Sequence, residues 1–205
     1  MAGTPLYPPS VVRLVEEFSR LPGIGKRSAE RLAFHILSTR SENALALALA
    51  IRDAKRNLRA CRRCFNIAEG EVCAICQNPG RVQTELCVVE LPRDVIAMEK
   101  AGVYQGLYHV LQGRLSPASG LGPENLRIGE LLQRIQQAQT EGRPVREVII
   151  ATRPSSEGDT TAEYLAGVLA PLGVESSRLA RGLASGTDFD NAAPSSLVYA
   201  FRGRR

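Results

Sequence analysis

Four of the chain's cysteines form two Cys-x-x-Cys pairs, Cys61/Cys64 and Cys73/Cys76, separated by eight residues. Two thiolates at that spacing reach one ion. Two such pairs close a tetrahedral all-sulfur site, which zinc prefers and which leaves no open position for a substrate. The expected role is structural Zn2+, with an iron–sulfur cluster as the secondary alternative. Disulfides fit less well. No N-terminal apolar stretch with a cleavage site is present, which predicts a reducing, cytoplasmic setting. No run reaches the roughly 20 apolar residues of a membrane span. The fifth cysteine, Cys87, lies in Leu86-Cys87-Val88-Val89 and reads as a small hydrophobe of a strand.

The next chemistry-bearing groups are cations. Lys26, Arg27 and Arg31 follow Leu21-Pro22-Gly23-Ile24-Gly25. Glycines there let backbone N–H groups approach an anion, and the following helix start adds partial positive charge. The local charge agrees. Residues 1–64 hold 12 Lys/Arg against 5 Asp/Glu, and residues 65–205 hold 14 against 16. Such asymmetry points to a polyanion partner for the N-terminal part. An ordinary glycine turn in a helical hairpin is the simpler reading of the same residues. His35, beside Phe34 and without a second histidine nearby, reads as a packing residue.

Acids form the third group. Glu90 ends an apolar run, and Glu157-Gly158-Asp159 follows another. Carboxylates from two such strand ends could share Mg2+, an ion that takes oxygen ligands. Glu157 and Asp159 would equally suit the first turn of a helix, as caps or as complements to its dipole. Asp188 and Asp190 could supply further acid, and their Gly-Thr-Asp-Phe-Asp-Asn setting equally fits a polar loop. No G-x-S-x-G elbow, P-loop, dinucleotide fingerprint or Cys–His pair is found.

These groups need elements to hold them. Pro8-Pro9-Ser10 reads as an extended lead with Ser10 as the N-cap of a helix carrying Val11, Val12, Leu14, Val15 and Phe18. Pro22 and Gly23 end it, and Gly25 permits a tight turn. A second helix shows Ala29, Leu32, Ala33 and Ile36 on one face. A third spans residues 43–59, where Arg52, Lys55 and Arg56, with Arg59, Arg62 and Arg63 beyond, extend the basic surface into the cysteine module. Past Arg81 the pattern changes. Leu86–Leu91, Leu107–Leu111, Val148–Thr152 and Val174–Ala180 read as strands, and residues 93–102, 126–140 and 159–171 as helices. Alternating strands and helices imply a mostly parallel sheet. Ser116–Asn125 reads as a loop within that domain, Pro194–Phe201 as a terminal helix, and Arg202–Arg205 as a basic tail.

Helix, glycine-flanked hairpin and helix together resemble the helix–hairpin–helix DNA-binding motif. With the cysteine module and a following α/β domain that opens on Cys87-Val-Val-Glu90, the order resembles the bacterial RecR family of recombination mediators. Arg31-Leu-Ala-Phe-His35, Tyr104–Gly113, Gly120-Leu-Gly-Pro123 and Glu157-Gly-Asp-Thr-Thr-Ala162 carry the same resemblance, which spans essentially the whole chain. It implies an α+β multidomain protein. Residues 1–58 would be the helix–hairpin–helix module and 59–81 a four-cysteine zinc finger. Residues 82–180 would be a Toprim domain, and 181–205 a C-terminal segment making subunit contacts. It further implies a ring-shaped homotetramer, a dimer of dimers that encircles DNA without sequence preference. Such a ring acts with RecO and RecF to load the RecA recombinase at single-stranded gaps. Gly23, Gly25, Lys26, Arg27 and Arg31 would contact DNA. Glu90, Glu157 and Asp159 would match the acidic Toprim positions, a surface for partner proteins in this family rather than for catalysis.

Three departures from the family pattern stand out. Lys26 replaces a common Pro after Gly-Ile-Gly and adds charge. Gly182-Leu183-Ala184 replaces Gly-apolar-Pro, and Ala193 replaces an acid. Two other functions remain open to the sequence. One is a Mg2+-dependent Toprim enzyme using Glu90, Glu157 and Asp159. The other is a zinc-stabilised adaptor that does not bind DNA.

Overall fold

The computed structural model describes residues 7–183, 186 and 188–203, so Ala184 and the Arg204–Arg205 end of the basic tail lie outside the described residues. Helix α1 (Pro9–Ser19) begins at a proline, whose fixed φ and missing N–H suit a first helical position. Ser10 therefore sits inside the first turn. It is not the N-cap; that position belongs to Pro8, and no side chain caps the helix. Helix α2 (Lys26–Ser38) and helix α3 (Ser41–Asn57) follow. The small core of this part consists of Val11, Val15, Ala29 and Ala33, with Leu14, Phe18 and Ile24 packed on it. Of the face expected on α2, only the two alanines are buried. Leu32 is exposed and Ile36 half-buried. No residue of α3 is buried.

The chain divides into two compact units, Met1–Asn57 and Leu58–Arg205. The second opens with a short antiparallel pair, β1 (Arg59–Ala60) and β2 (Ile67–Ala68), and a one-turn helix α4 (Ala74–Gln77). Then come β3 (Val82–Val89), α5 (Pro92–Ala101), β4 (Gly106–Val110), α6 (Ile128–Thr140), β5 (Glu147–Ala151), α7 (Ser156–Leu169), β6 (Glu175–Arg178) and α8 (Pro194–Arg202). Among the described residues β3 to β6 form one sheet in the order β4-β3-β5-β6, with every pairing parallel.

A parallel sheet is covered on both faces, so its strands read as continuous apolar runs. Strand β3 shows why. Leu86 and Val88 pack with α6 and α7 residues such as Leu131, Ile135 and Leu165. Cys87 and Val89 pack on the opposite side with Val95, Tyr108 and Val110. The Ser116–Asn125 loop folds into two short 3-10 turns, Pro117–Ser119 and Pro123–Asn125. The chain order reverses direction between β3 and β5. Strand C-terminal ends at such a switch point form the crevice where α/β sheets gather ligands, and Glu90 and the β5–α7 turn lie there.

Candidate metal centre and nucleic-acid interface

Cys61 follows β1, Cys64 closes a tight turn, Cys73 is the N-cap of α4, and Cys76 lies within it. The turn is closed by the Phe65 N–H donating to the Cys61 carbonyl at 2.9 Å and by the Cys61 N–H donating to the Asn66 carbonyl at 2.7 Å. The Cys73 N–H also donates to Cys61 Sγ at 3.3 Å. All four thiols are buried, none is in a disulfide, and their sulfurs lie within 4.8 Å of one another. This is the one metal-capable group of its kind among the described residues. The donor set fits zinc. Hydrogen bonds from Cys64 and Cys76 hold the Cys73 thiol well below its ordinary range, while its bond to Cys73 pushes Cys64 far up. One thiolate is thus favoured and further ones are opposed, and a central dication removes that opposition.

The cysteine module also seals the sheet. Strand β4 is an edge strand, and an edge with free backbone groups invites unwanted pairing. The outward Val110 N–H donates to the Cys64 carbonyl at 2.8 Å. Arg134 of α6 donates to the outward Tyr108 carbonyl at 2.7 Å and to the Arg63 carbonyl at 3.3 Å. Phe65 stands edge-on to His109, with the Arg127 guanidinium over its ring. Gln112 Nε2 donates to the Phe65 carbonyl at 2.6 Å. Phe65 and Gln112 are the two non-glycine residues with positive φ among those described, and they bond to each other. The module therefore belongs physically to the sheet unit.

In the N-terminal unit, Leu21-Pro22-Gly23-Ile24 makes a turn closed by the Ile24 N–H to the Leu21 carbonyl at 3.1 Å. Pro sits at its second position and Gly23, with φ +81°, at its third, the type II arrangement that favours glycine. The turn glycine is thus Gly23. Gly25, expected in that role, is extended at φ −79° and serves as the N-cap of α2. A Cβ added at Gly25 would meet nothing within 4 Å. The start of α2 carries no side-chain cap. Lys26, Arg27 and Arg31 are all exposed, and among the described residues the ion pairs of this unit, Arg20–Glu17 and Arg52–Asp53, involve none of them. His35 is exposed too, in an open groove with Arg27, Glu30, Arg31 and Phe34, and not a core packing residue.

At the sheet's switch point Glu90 is only 2% exposed. Its Oε1 accepts from the Arg153 N–H at 2.8 Å and its Oε2 from Arg114 Nη1 at 3.4 Å. Arg114 Nε donates to Glu157 at 2.6 Å, and Ser116 Oγ donates to the other oxygen of Glu157 at 2.5 Å. These two donors hold the Glu157 carboxyl below its usual range, the hydroxyl contributing most. Neither Glu157 nor Asp159 caps α7. The Ser155 hydroxyl does, accepting from the Gly158 N–H at 3.2 Å. Asp159 instead binds Arg178 at 2.5 Å, Arg181, and the Tyr199 hydroxyl at 3.3 Å, and its carboxyl is held far below the usual range, mainly by Arg181. Among the described residues these three acids do not converge on one point. Glu90 and Glu157 meet across a guanidinium, and Asp159 ties the C-terminal segment to α7. Asp188 and Asp190 lie in an exposed turn.

No motif marked Arg114, Arg178 or Arg181. Arg114 directly follows the Tyr104–Gly113 stretch, and only its position past a strand end offered a signal.

Three family models match the chain. One for the RecR helix–hairpin–helix covers residues 11–55, one for the RecR four-cysteine zinc finger domain 58–78, and one for the Toprim domain 84–180. Similar curated proteins are named recombination protein RecR. That of Chloroflexus aurantiacus is 53% identical over 195 residues, covering 95% of this chain and 93% of the relative. That of Pelotomaculum thermopropionicum is 51% identical over 199 residues, 97% of each. That of Rubrobacter xylanophilus is 50% identical over 199 residues, 97% of this chain and 98% of the relative.

Proposed function

The chain belongs to the RecR family of recombination proteins, and from that premise we propose that it is a non-catalytic DNA clamp that mediates recombinational repair. One observation carries the reading: an uncapped helix start, preceded by Gly23 and Gly25, with Lys26, Arg27 and Arg31 exposed and, among the described residues, in no ion pair. Backbone N–H groups and cations in that arrangement suit phosphates, whose contacts position a duplex or single strand without reading bases. Binding would then be independent of sequence and steeply dependent on salt. The module at 1–58 would hold DNA, the finger at 59–81 and the Toprim domain at 82–180 would supply the rigid body, and 181–205 would serve subunit contacts. Assembly as a dimer of dimers would place several hairpins around one DNA. Action with RecO and RecF to load RecA at single-stranded gaps follows as the role, with the acidic strand end as the partner-facing surface.

The test is a salt titration of DNA binding by the wild type and an Arg27→Glu/Arg31→Glu variant. The expected slope of log K against log salt is shallower by about two units in the variant, with affinity lower for every sequence tried. An unchanged slope in a folded, zinc-loaded variant would sink the assignment. A Mg2+-dependent cleavage or synthesis activity lost in Glu90→Gln would overturn the non-catalytic part.

A further inference from the structure

The acidic strand end has its own cation. We propose that Arg114 is the resident counter-charge between Glu90 and Glu157, filling the electrostatic place of a divalent ion and excluding one. All four carboxylate oxygens already accept a donor. Glu90 takes the Arg153 N–H and Arg114 Nη1, and Glu157 takes Arg114 Nε and the Ser116 hydroxyl. A Mg2+ or Mn2+ ion needs those lone pairs for itself, at close range and in near-octahedral order. Asp159, the third acid of the set, is taken by Arg178, Arg181 and Tyr199.

Arg114 is not a loose surface side chain. The Gly113 N–H donates to the Glu90 carbonyl at 3.0 Å, and the Leu115 N–H donates to Thr161 Oγ1 at 3.0 Å. Thr161 is itself buried and bonded to the Glu157 carbonyl at 2.7 Å. Both flanks of Arg114 are thus pinned, one to Glu90 at the end of β3 and the other to α7, which carries Glu157. A guanidinium stays charged at any working pH and bridges two acceptors through a planar fork. It gives a carboxylate buried as deeply as Glu90 a hydrogen-bonded counter-charge, and a buried charge without such a partner is costly. A cation carried on the chain cannot dissociate. The acidic end is thereby a permanent, partly neutralised surface rather than a metal-gated one. This holds whether or not the chain binds DNA.

The experiment titrates Mn2+ into the full-length, zinc-loaded protein, with free Mn2+ followed by electron paramagnetic resonance. The wild type should show no saturable site. Arg114→Gln should gain one site per chain, tighter by roughly tenfold or more, and Arg114→Gln/Glu157→Gln should lose it. A wild-type site that Glu157→Gln abolishes overturns the proposal, as does a folded Arg114→Gln with no gain. If Arg114→Gln fails to fold, thermal unfolding decides. Arg114→Gln/Glu90→Gln should then recover stability, because the orphaned acid is gone, and a double variant no more stable than the single one overturns the proposal.

Discussion

In the helical unit the cations at the start of α2 stand in solvent and, among the described residues, form no ion pair, although Glu30 lines the same groove, over a core of two valines and two alanines. At the sheet's strand ends the acids are each met by an arginine from elsewhere in the chain, over a core drawn from both faces of β3, β4 and β5. Charge left unmatched costs little when exposed and stays available to a partner. Charge matched internally serves the fold first, and a partner must compete for it. The two regions therefore differ in kind: the exposed cations of one are in no ion pair among the described residues, and the acids of the other are already paired. The chain's two histidines repeat the contrast, since His35 is exposed in the helical unit and His109 is fully buried in the sheet unit.

The largest break in this contrast is removal of zinc. Structural zinc in small fingers carries apparent binding energies on the order of 10 kcal/mol. Because Cys64 covers the β4 edge, Cys61→Ser or chelation should destabilise the sheet unit first. Hydrogen exchange should show protection lost at Val110 and its neighbours while α1 and α2 keep theirs. DNA binding should fail only as a consequence. A zinc-free variant that keeps this protection yet cannot bind DNA would mean that the cysteine module acts on DNA directly and not through the sheet.

His109 gives a smaller and pH-dependent test. Its Nε2–H donates to the Arg127 carbonyl at 2.7 Å, while Nδ1 has no partner, and burial lowers its pKa from 6.5 to about 4. Below pH 6.5 the unfolded chain binds a proton that the fold refuses until about pH 4. The stability is fully present above pH 6.5, drains as pH falls through that window, and amounts to about 3 kcal/mol at most. Denaturant unfolding of zinc-loaded protein at a series of pH values should show this slope in the wild type and a flatter one in His109→Gln. Equal slopes would mean that another group titrates.

The hairpin glycines separate fold from ligand most directly. Gly23→Ala places a Cβ at φ +81° and should cost about 1 kcal/mol in the helical unit. Gly25→Ala meets no neighbour and keeps an ordinary φ, so stability should change by less than about 0.5 kcal/mol. Its DNA affinity should nonetheless fall several-fold, because the methyl group stands where a phosphate would approach. A Gly25→Ala protein with undiminished affinity would show that DNA lies elsewhere.

What could be read from the sequence follows the range of each interaction. The thiol quartet, the strand runs around Leu86 and Ile149, and the helices rest on spacings within a few residues, and these are present as expected. Pro22-Gly23 carried a type II turn signal that outweighed the one at Gly25. The partners of the acids were not readable. Arg114 lies 43 residues from Glu157, and Arg181 lies 22 from Asp159, with no periodic pattern linking them. The bonded positive-φ pair of Phe65 and Gln112, 47 residues apart, had no local mark either, since neither residue type favours that conformation.

Asp159 sharpens the comparison at its weakest point. It is an acid matched internally, but at a half-buried site, so little stability should rest on it. The side chains of Asp159 and Arg178 are 30% and 38% exposed, and partly screened pairs of this kind contribute about 1 kcal/mol or less. Its carboxyl is held well below the usual range by Arg181 and then Arg178, so protonation should release it only in strong acid and not near neutrality. What depends on Asp159 is local order. It receives Arg181, whose guanidinium lies over the Tyr199 ring of α8, and the Tyr199 hydroxyl itself. Asp159→Asn should therefore leave the melting of the sheet nearly unchanged while α8 becomes more open to limited proteolysis and faster in hydrogen exchange. If α8 keeps its protection, its packing rather than this charge holds it. The matched acids would then be anchors for the fold only at Glu90 and Glu157.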